Sequence, residues 1–200
     1  MGPPTVIVIS GTVGSGKSLL ADSLGTLLRW RSCAVGRYAM AVCEQRYQAL
    51  TIEDCGFVDR MVRGWAREGN VIIDGVFAPL VLRDSPHTKV CLLLTAGFET
   101  RVRRLSKRSE SRGIDDIAGY VVERDRWEDA MSQEVYKSSY RSPFLYDAVL
   151  DTTGVAPRAV LHQALQVLTL RGAPCRGVRD GRRAAARWAM TEPHRRPREP

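Results

Sequence analysis

Four consecutive β-branched residues, Val6-Ile7-Val8-Ile9, lead through Ser10 into Gly11-Thr12-Val13-Gly14-Ser15-Gly16-Lys17-Ser18, and no other feature of the chain restricts its fold as much. A short continuous apolar run suits a strand buried on both faces, and the glycines after it permit backbone angles closed to other residues. Leu20, Leu24, Leu27 and Leu28 then recur at i, i+4, i+7 and i+8, one face of a helix from about Lys17 to Trp30. Strand, glycine turn and helix in this order make a cradle for an anion. Loop N–H groups point at phosphate oxygens, and the helix offers them its positive end. In the pattern G-x-x-x-x-G-K-[ST] the lysine reaches the outer phosphates and the final hydroxyl ligates Mg²⁺. The expected ATP contacts are Gly11, Thr12, Gly14, Ser15, Gly16, Lys17, Ser18 and Leu19, with Lys17 also catalytic and Ser18 a metal ligand.

Similar apolar runs recur at Asn70–Asp74, Lys89–Thr95 and Ala148–Asp151, with a shorter candidate at Ser32–Val35. Helical patterns lie between them. Thr51 with Asp54 resembles a capping box, opening a helix that stops near Gly69. Pro157 suits a first helical turn, and Val160, Ala164, Val167 and Leu168 form the buried stripe of a last helix. Strand and helix alternate, so the expected class is α/β, a parallel sheet covered on both faces.

A phosphate-bound Mg²⁺ needs a carboxylate near the loop. Val71-Ile72-Ile73-Asp74-Gly75 offers one at a strand end, where Asp74 either holds the metal or merely ends the strand. With the loop in place, the metal role is the expectation. Arg101, Arg104 and Arg108 share one face if a single helix carries them. Such a row is either a solvated surface or a set of guanidinium groups closing over the migrating phosphoryl group. Its place after a strand and before the polar stretch Ser106–Asp116 favours a lid, with Arg104 and Arg108 as catalytic residues.

The formal charge of +8 hints at nucleic acid until it is located. Nine arginines against Asp180, Glu192 and Glu199 put +6 of it in residues 171–200, a Pro/Gly/Ala/Arg stretch expected to be a disordered tail. The domain expected over residues 1–170 carries only +2 and lacks an aromatic stacking platform, which argues against nucleic acid as partner. The five cysteines are odd in number, form no C-x-x-C pair and stand apart from the three histidines, so no disulfide framework or zinc site is expected. His87 and His162 are isolated and read as structural. No basic residue precedes the first apolar run and no stretch approaches a membrane span of roughly 18 residues. A soluble, cytoplasmic monomer is the expectation.

Over about residues 5–155 the chain resembles the nucleoside monophosphate kinases, and among them the short archaeal-type cytidylate kinases. The matching pieces are Gly11–Ser18, Val58-Asp59-Arg60, Asn70–Gly75, the Arg101/Arg104/Arg108 spacing, Glu123-Arg124 with Glu128, and Tyr146–Thr152. The resemblance implies a P-loop three-layer fold, a five-stranded parallel sheet with helices on both faces and a small lid at about residues 106–116. It also implies transfer of the γ-phosphoryl group of ATP to CMP or dCMP, with Asp59 and Arg60 on the acceptor side and Ser18 and Asp74 at Mg²⁺; Arg37, after the second strand, is the further acceptor-side candidate.

Three acceptor-side arginines that the resemblance leads one to expect are absent, their places being taken by Met40, Val76 and Met131. A phosphate dianion in a closed site needs cationic donors. Either Arg37, Arg60, Arg63 or Arg141 has taken over, or the acceptor is another small molecule facing a more apolar wall of Met40, Val76 and Phe77. A relative that binds ATP without catalysis is the remaining alternative.

Overall fold

A computed structural model describes residues 5–43, 50–108 and 114–173. In chain order the elements are β1 (Thr5–Gly11), α1 (Lys17–Leu28), β2 (Arg31–Ala34), α2 (Val35–Cys43), α3 (Ile52–Glu68), β3 (Val71–Asp74), α4 (Ala78–Val81), β4 (Thr88–Thr95), α5 (Phe98–Ser106), α6 (Ile117–Tyr136), a 3₁₀ turn (Pro143–Leu145), β5 (Ala148–Asp151) and α7 (Pro157–Leu170). The strands form one sheet in the order β2-β3-β1-β4-β5, every pairing parallel. Five parallel strands between helices are the architecture expected. Residues 109–113 of the lid segment and residues 174–200 of the tail lie outside the described residues.

The central strand decides the layering. Every residue of β1 is buried, and its side chains alternate between two cores. Ile7 and Ile9 pack with Leu20 and Leu24 of α1 and Val160, Ala164 and Leu168 of α7. Val6 and Val8 pack on the opposite face with Val62 and Ala66 of α3 and Val81 of α4. A helix stripe facing each side of an apolar strand is the condition for a sheet covered on both faces. At about 25 cal/mol per Å² of apolar area removed from water, these two interfaces supply the main driving force for folding.

Local signals account for the helix boundaries. Thr51 and Asp54 close a reciprocal cap on α3: Asp54 N–H donates to Thr51 Oγ1 (3.1 Å) and Thr51 N–H to Asp54 Oδ2 (2.8 Å). Helix α1 ends on Arg29 in the left-handed region, φ 57°. Strand β2 starts one residue earlier than its apolar content suggests, and Val35 already opens α2. The packed chain also runs past the boundary expected at residue 170. Arg171 pairs with Asp147 at 2.9 Å, and Ala173 is buried in the α1/α7 core. Among the described residues, no helix is long and apolar enough to cross a membrane.

At the end of β1 the backbone leaves the sheet through Gly11, φ 141°. A Cβ there would meet the Leu94 carbonyl oxygen, a backbone atom of the neighbouring strand, at 2.0 Å. Gly16 caps α1 at φ 100°, with open space where a Cβ would stand. The two glycines therefore answer different demands. Gly11→Ala should lose about 3 kcal/mol or more in urea unfolding, since a backbone clash cannot relax cheaply. Gly16→Ala should lose only the left-handed backbone penalty of about 1–2 kcal/mol. Equal midpoints for the two variants would contradict this assignment.

Candidate active site

Beyond Gly11 the loop is built from inside by its own polar atoms. Lys17 Nζ donates to Thr12 O (2.9 Å), and Ser18 Oγ donates to Asp74 Oδ2 (2.6 Å) across the gap between α1 and β3. Ile9 and Asp74 are partners in the β1/β3 register, so the acid stands at the level where the loop begins. Asp74 is only 5% exposed. Burial holds its carboxyl above the ordinary range, against the opposing pull of Lys17 and the Ser18 hydroxyl. Burial likewise lowers the Lys17 ammonium, against the attraction of Asp74. The pair thus meets two desolvation costs with one mutual attraction, as expected of charges held ready for a ligand.

The expected arginine row divides into three different fates. Helix α5 ends at Ser106, so Arg108 lies beyond it and does not share a helical face with the other two. Arg101, with its side chain 8% exposed, forms a bidentate pair with Asp125 of α6 (2.9 and 2.6 Å) and reaches Val13 O (3.4 Å). Arg104 donates to the loop carbonyls of Gly14 (3.2 Å) and Ser15 (3.3 Å), and to Thr152 Oγ1 (2.9 Å) and Thr152 O (2.7 Å). Its guanidinium holds the loop to the end of β5. Thr152 Oγ1 also lies within hydrogen-bonding reach of Ser15 O (2.9 Å) and Thr95 O (3.0 Å). Within the loop, Ser15 N–H donates to Thr12 O (3.2 Å). Ser15 Oγ is buried with no hydrogen-bond partner among the described residues.

Two cavities flank the loop and share Gly16, Leu19 and Arg108 as walls. One, of about 310 Å³, is lined by Leu20, Leu94, Val155, Pro157 and Val160 with Arg104 and Thr152. The other, a cleft of about 580 Å³, brings Lys17, Ser18 and Asp74 together with Arg37 and Met40 of α2 and Arg124 of α6. Among the residues expected at the acceptor and the metal, Arg37 and Asp74 line this one cleft. Arg60 does not: it is exposed on α3, stacks over its own neighbour Phe57 at 5.9 Å and lines neither cavity. Asp59 lines a separate apolar space of about 20 Å³, enough for one water, and accepts the Tyr136 hydroxyl at 2.7 Å. Of the three positions lacking an arginine, Met40 and Val76 do line the cleft, whereas Met131 is buried at 9% exposure. Arg141 is bound to Asp129 (2.8 Å).

Sequence reasoning counted Arg124 and Thr152 among the pieces that carry the resemblance, but gave neither of them, nor Tyr120, a role at the site. Arg124 had a signal in its i, i+4 spacing from Glu128, to which its Nε donates at 2.7 Å. The partners of Thr152 left no local signal, because Ser15 and Arg104 are 137 and 48 residues away.

Residues 31–154 match the model of the cytidylate kinase-like family, well over half of the chain. The cytidylate kinase of Ignicoccus hospitalis is 28% identical over 173 residues, covering 82% of this chain and 99% of that protein. The Pyrobaculum calidifontis cytidylate kinase is 28% identical over 157 residues, 74% and 84% of the two chains. Among solved structures, an uncharacterized protein from Eubacterium ventriosum superposes with a TM-score of 0.67 at 16% identity, over 82% of this chain and 98% of that one. Shikimate kinase from Bacteroides thetaiotaomicron gives 0.58 at 15% identity, with the same coverages. At such identities the structural likeness speaks for the fold alone.

Asp59 generates a pH prediction. Its carboxyl is held above the ordinary range chiefly by burial, against the Tyr136 hydrogen bond and the charge of Arg63. The folded chain therefore binds this proton more tightly than the unfolded chain. The stability so contributed is complete below about pH 4, the ordinary value, and is lost as pH rises through the raised folded value. Asp59→Asn keeps an acceptor for Tyr136 and removes the ionisation. Its melting temperature should gain on the parent's as pH goes from about 4 to about 7. A difference independent of pH would contradict the reading.

Proposed function

Since the chain belongs to the cytidylate kinase-like family and is a P-loop kinase, we propose that it transfers the γ-phosphoryl group of ATP to the phosphate of CMP or dCMP. The observation that carries this reading is the pair of cavities meeting over Gly16 and Arg108, one largely apolar and one rich in cations. An adenine ring suits the first, between Leu20, Leu94, Val155 and Pro157. A triphosphate laid from there along the loop N–H groups ends at Lys17, facing the second. A monophosphate in the cleft then meets it from the side of Arg37.

The residues present fit Mg²⁺ bound together with the nucleotide. Ser18 Oγ and Asp74 Oδ2 are already 2.6 Å apart, and no cluster of three or more His, Cys, Asp or Glu side chains able to hold a metal occurs among the described residues. A site of one hydroxyl and one carboxylate, completed by phosphate oxygens and water, is the arrangement magnesium favours. When bound, the ion neutralises charge on the phosphate oxygens. The other tasks belong to the chain. Lys17 counters charge on the outer phosphates. Arg108, at the junction of the cavities, is placed to follow the migrating group. An acceptor phosphate is already anionic and needs no general base. Positioning and charge compensation suffice for in-line transfer.

The test is ADP release, coupled to an indicator enzyme, with CMP, dCMP, UMP, AMP and a panel of hydroxyl acceptors. CMP or dCMP should be preferred, and Lys17→Ala or Ser18→Ala should lower turnover at least about a hundredfold without a loss of melting temperature. ADP release with a hydroxyl acceptor alone would replace the cytidylate reading with a different small-molecule kinase. Undiminished turnover in either variant would refute the loop assignment.

A further inference from the structure

Away from the loop, the two most exposed large apolar side chains among the described residues are Phe144, at 98%, and Leu170, at 85%. Neither stands on a loose stretch of chain. Phe144 sits in the 3₁₀ turn Pro143–Leu145, where Leu145 N–H donates to Ser142 O and Tyr146 N–H to Pro143 O, both at 3.1 Å, and the proline fixes a backbone angle. Leu170 is the last residue of α7. Apolar side chains scattered singly over a surface need no explanation, whereas a group of them at one place does.

The ion pair of Arg171 with Asp147 gathers these two at one edge of the sheet. Leu170 directly precedes Arg171, and Phe144 lies three residues before Asp147. Asp147 is itself fixed to β4, its N–H donating to Cys91 O (2.8 Å) and its Oδ2 accepting Cys91 N–H (2.7 Å). Two residues further on, Val149 shares a face of β5 with Asp147 and is 52% exposed. Strand β5 pairs with β4 alone, so its outer edge has no strand partner among the described residues. An open edge flanked by apolar side chains is a surface that folded chains cover.

The chain carries a cover of its own. After α7 it turns through Gly172, φ 67°, and Ala173 is held by its N–H to Leu168 O (3.0 Å) and by burial in the α1/α7 core. Residue 174 therefore leaves the domain beside this edge. Residues 174–200 have too little apolar content to fold alone, yet residues 184–190 read Ala-Ala-Ala-Arg-Trp-Ala-Met. We propose that Phe144, Val149 and Leu170 are the docking surface for residues 184–190 of the same chain, with Trp188 as the anchor. Flexible chain of the length between Ala173 and Trp188 spans roughly 20 Å on average, so a surface at the point of exit is within reach. Area decides between this occupant and a second copy. Three such side chains offer a few hundred Å² at most, short of the roughly 800 Å² per partner of a stable complex. A tethered segment needs less, because a short linker holds it at an effective concentration on the order of millimolar. Asp147 and the end of α7 stand at the start of β5, whereas the loop meets the other end through Thr152. Docking therefore takes place away from the loop.

The test uses the full chain and the fluorescence of Trp188, isolated as the difference between the parent and Trp188→Phe. In the parent this emission should lie to the blue of tryptophan in water, and Phe144→Gln or Leu170→Gln, both at exposed positions, should return it to the red. Trypsin should cleave after Arg182, Arg183 and Arg187 about tenfold faster in either variant than in the parent, since cleavage follows the undocked population. The emission should not change with protein concentration, and sedimentation should give one mass for parent and variants. The proposal is overturned if Trp188 of the parent emits as in water, or if emission and cleavage rate are the same in the parent and both variants. It is equally overturned if the blue emission grows with protein concentration and Phe144→Gln dissociates a dimer, which would make a second copy the occupant.

Discussion

The parallel pairing of β1 between β3 and β4 is the constraint on which the site depends. One register sets Ile9 beside Asp74, and the other sets Gly11 beside Leu94. The first brings the acid to the mouth of the loop. The second leaves no room for a side chain at the loop's first residue. Because side chains alternate along a strand, a slip of one residue in the β1/β3 pairing would turn Asp74 into a core and bring an apolar neighbour to the loop. The apolar packing of Val6 through Ile9 on both faces opposes such a slip. Burial of four aliphatic side chains thus holds a polar geometry in place.

Around that frame, the cations near the loop divide into two sets. Arg101 and Arg104 belong to the scaffold, one joining α5 to α6 through Asp125, the other joining loop carbonyls to Thr152. Lys17, Arg37 and Arg108 face space. A loop whose carbonyls are already bonded can present its N–H groups without rearranging, and such preorganisation is what makes an anion site strong. Phosphoryl transfer asks little more of a protein than this.

The order of strands and helices, the capped start of α3 and the loop with its strand-end acid were all legible in the sequence, because each rests on a pattern within a few residues: an apolar run, a Thr/Asp pair at i and i+3, a glycine spacing. The roles of the arginines were less accessible. Arg101, Arg104 and Arg108 look equivalent at i, i+3 and i+7, yet helix α5 stops after Ser106 and the partners of the first two lie on α6, β5 and the loop. A side chain's partner across a sheet leaves no local trace. Arg60 misled for the same reason, since its position within a familiar triplet says nothing about which face of α3 it occupies. The acceptor side depends throughout on contacts between distant elements.

The central claim is that the loop and Asp74 together form a site for a magnesium-bound nucleotide. It is tested most directly by calorimetric titration of the full chain with ATP, with and without Mg²⁺, in the parent and in Asp74→Asn. Mg²⁺ should tighten ATP binding by the parent at least about tenfold, equivalent to roughly 1.4 kcal/mol, and that gain should vanish in the variant while metal-free binding persists. Equal affinity with and without Mg²⁺ in the parent, or an undiminished gain in Asp74→Asn, would contradict the account.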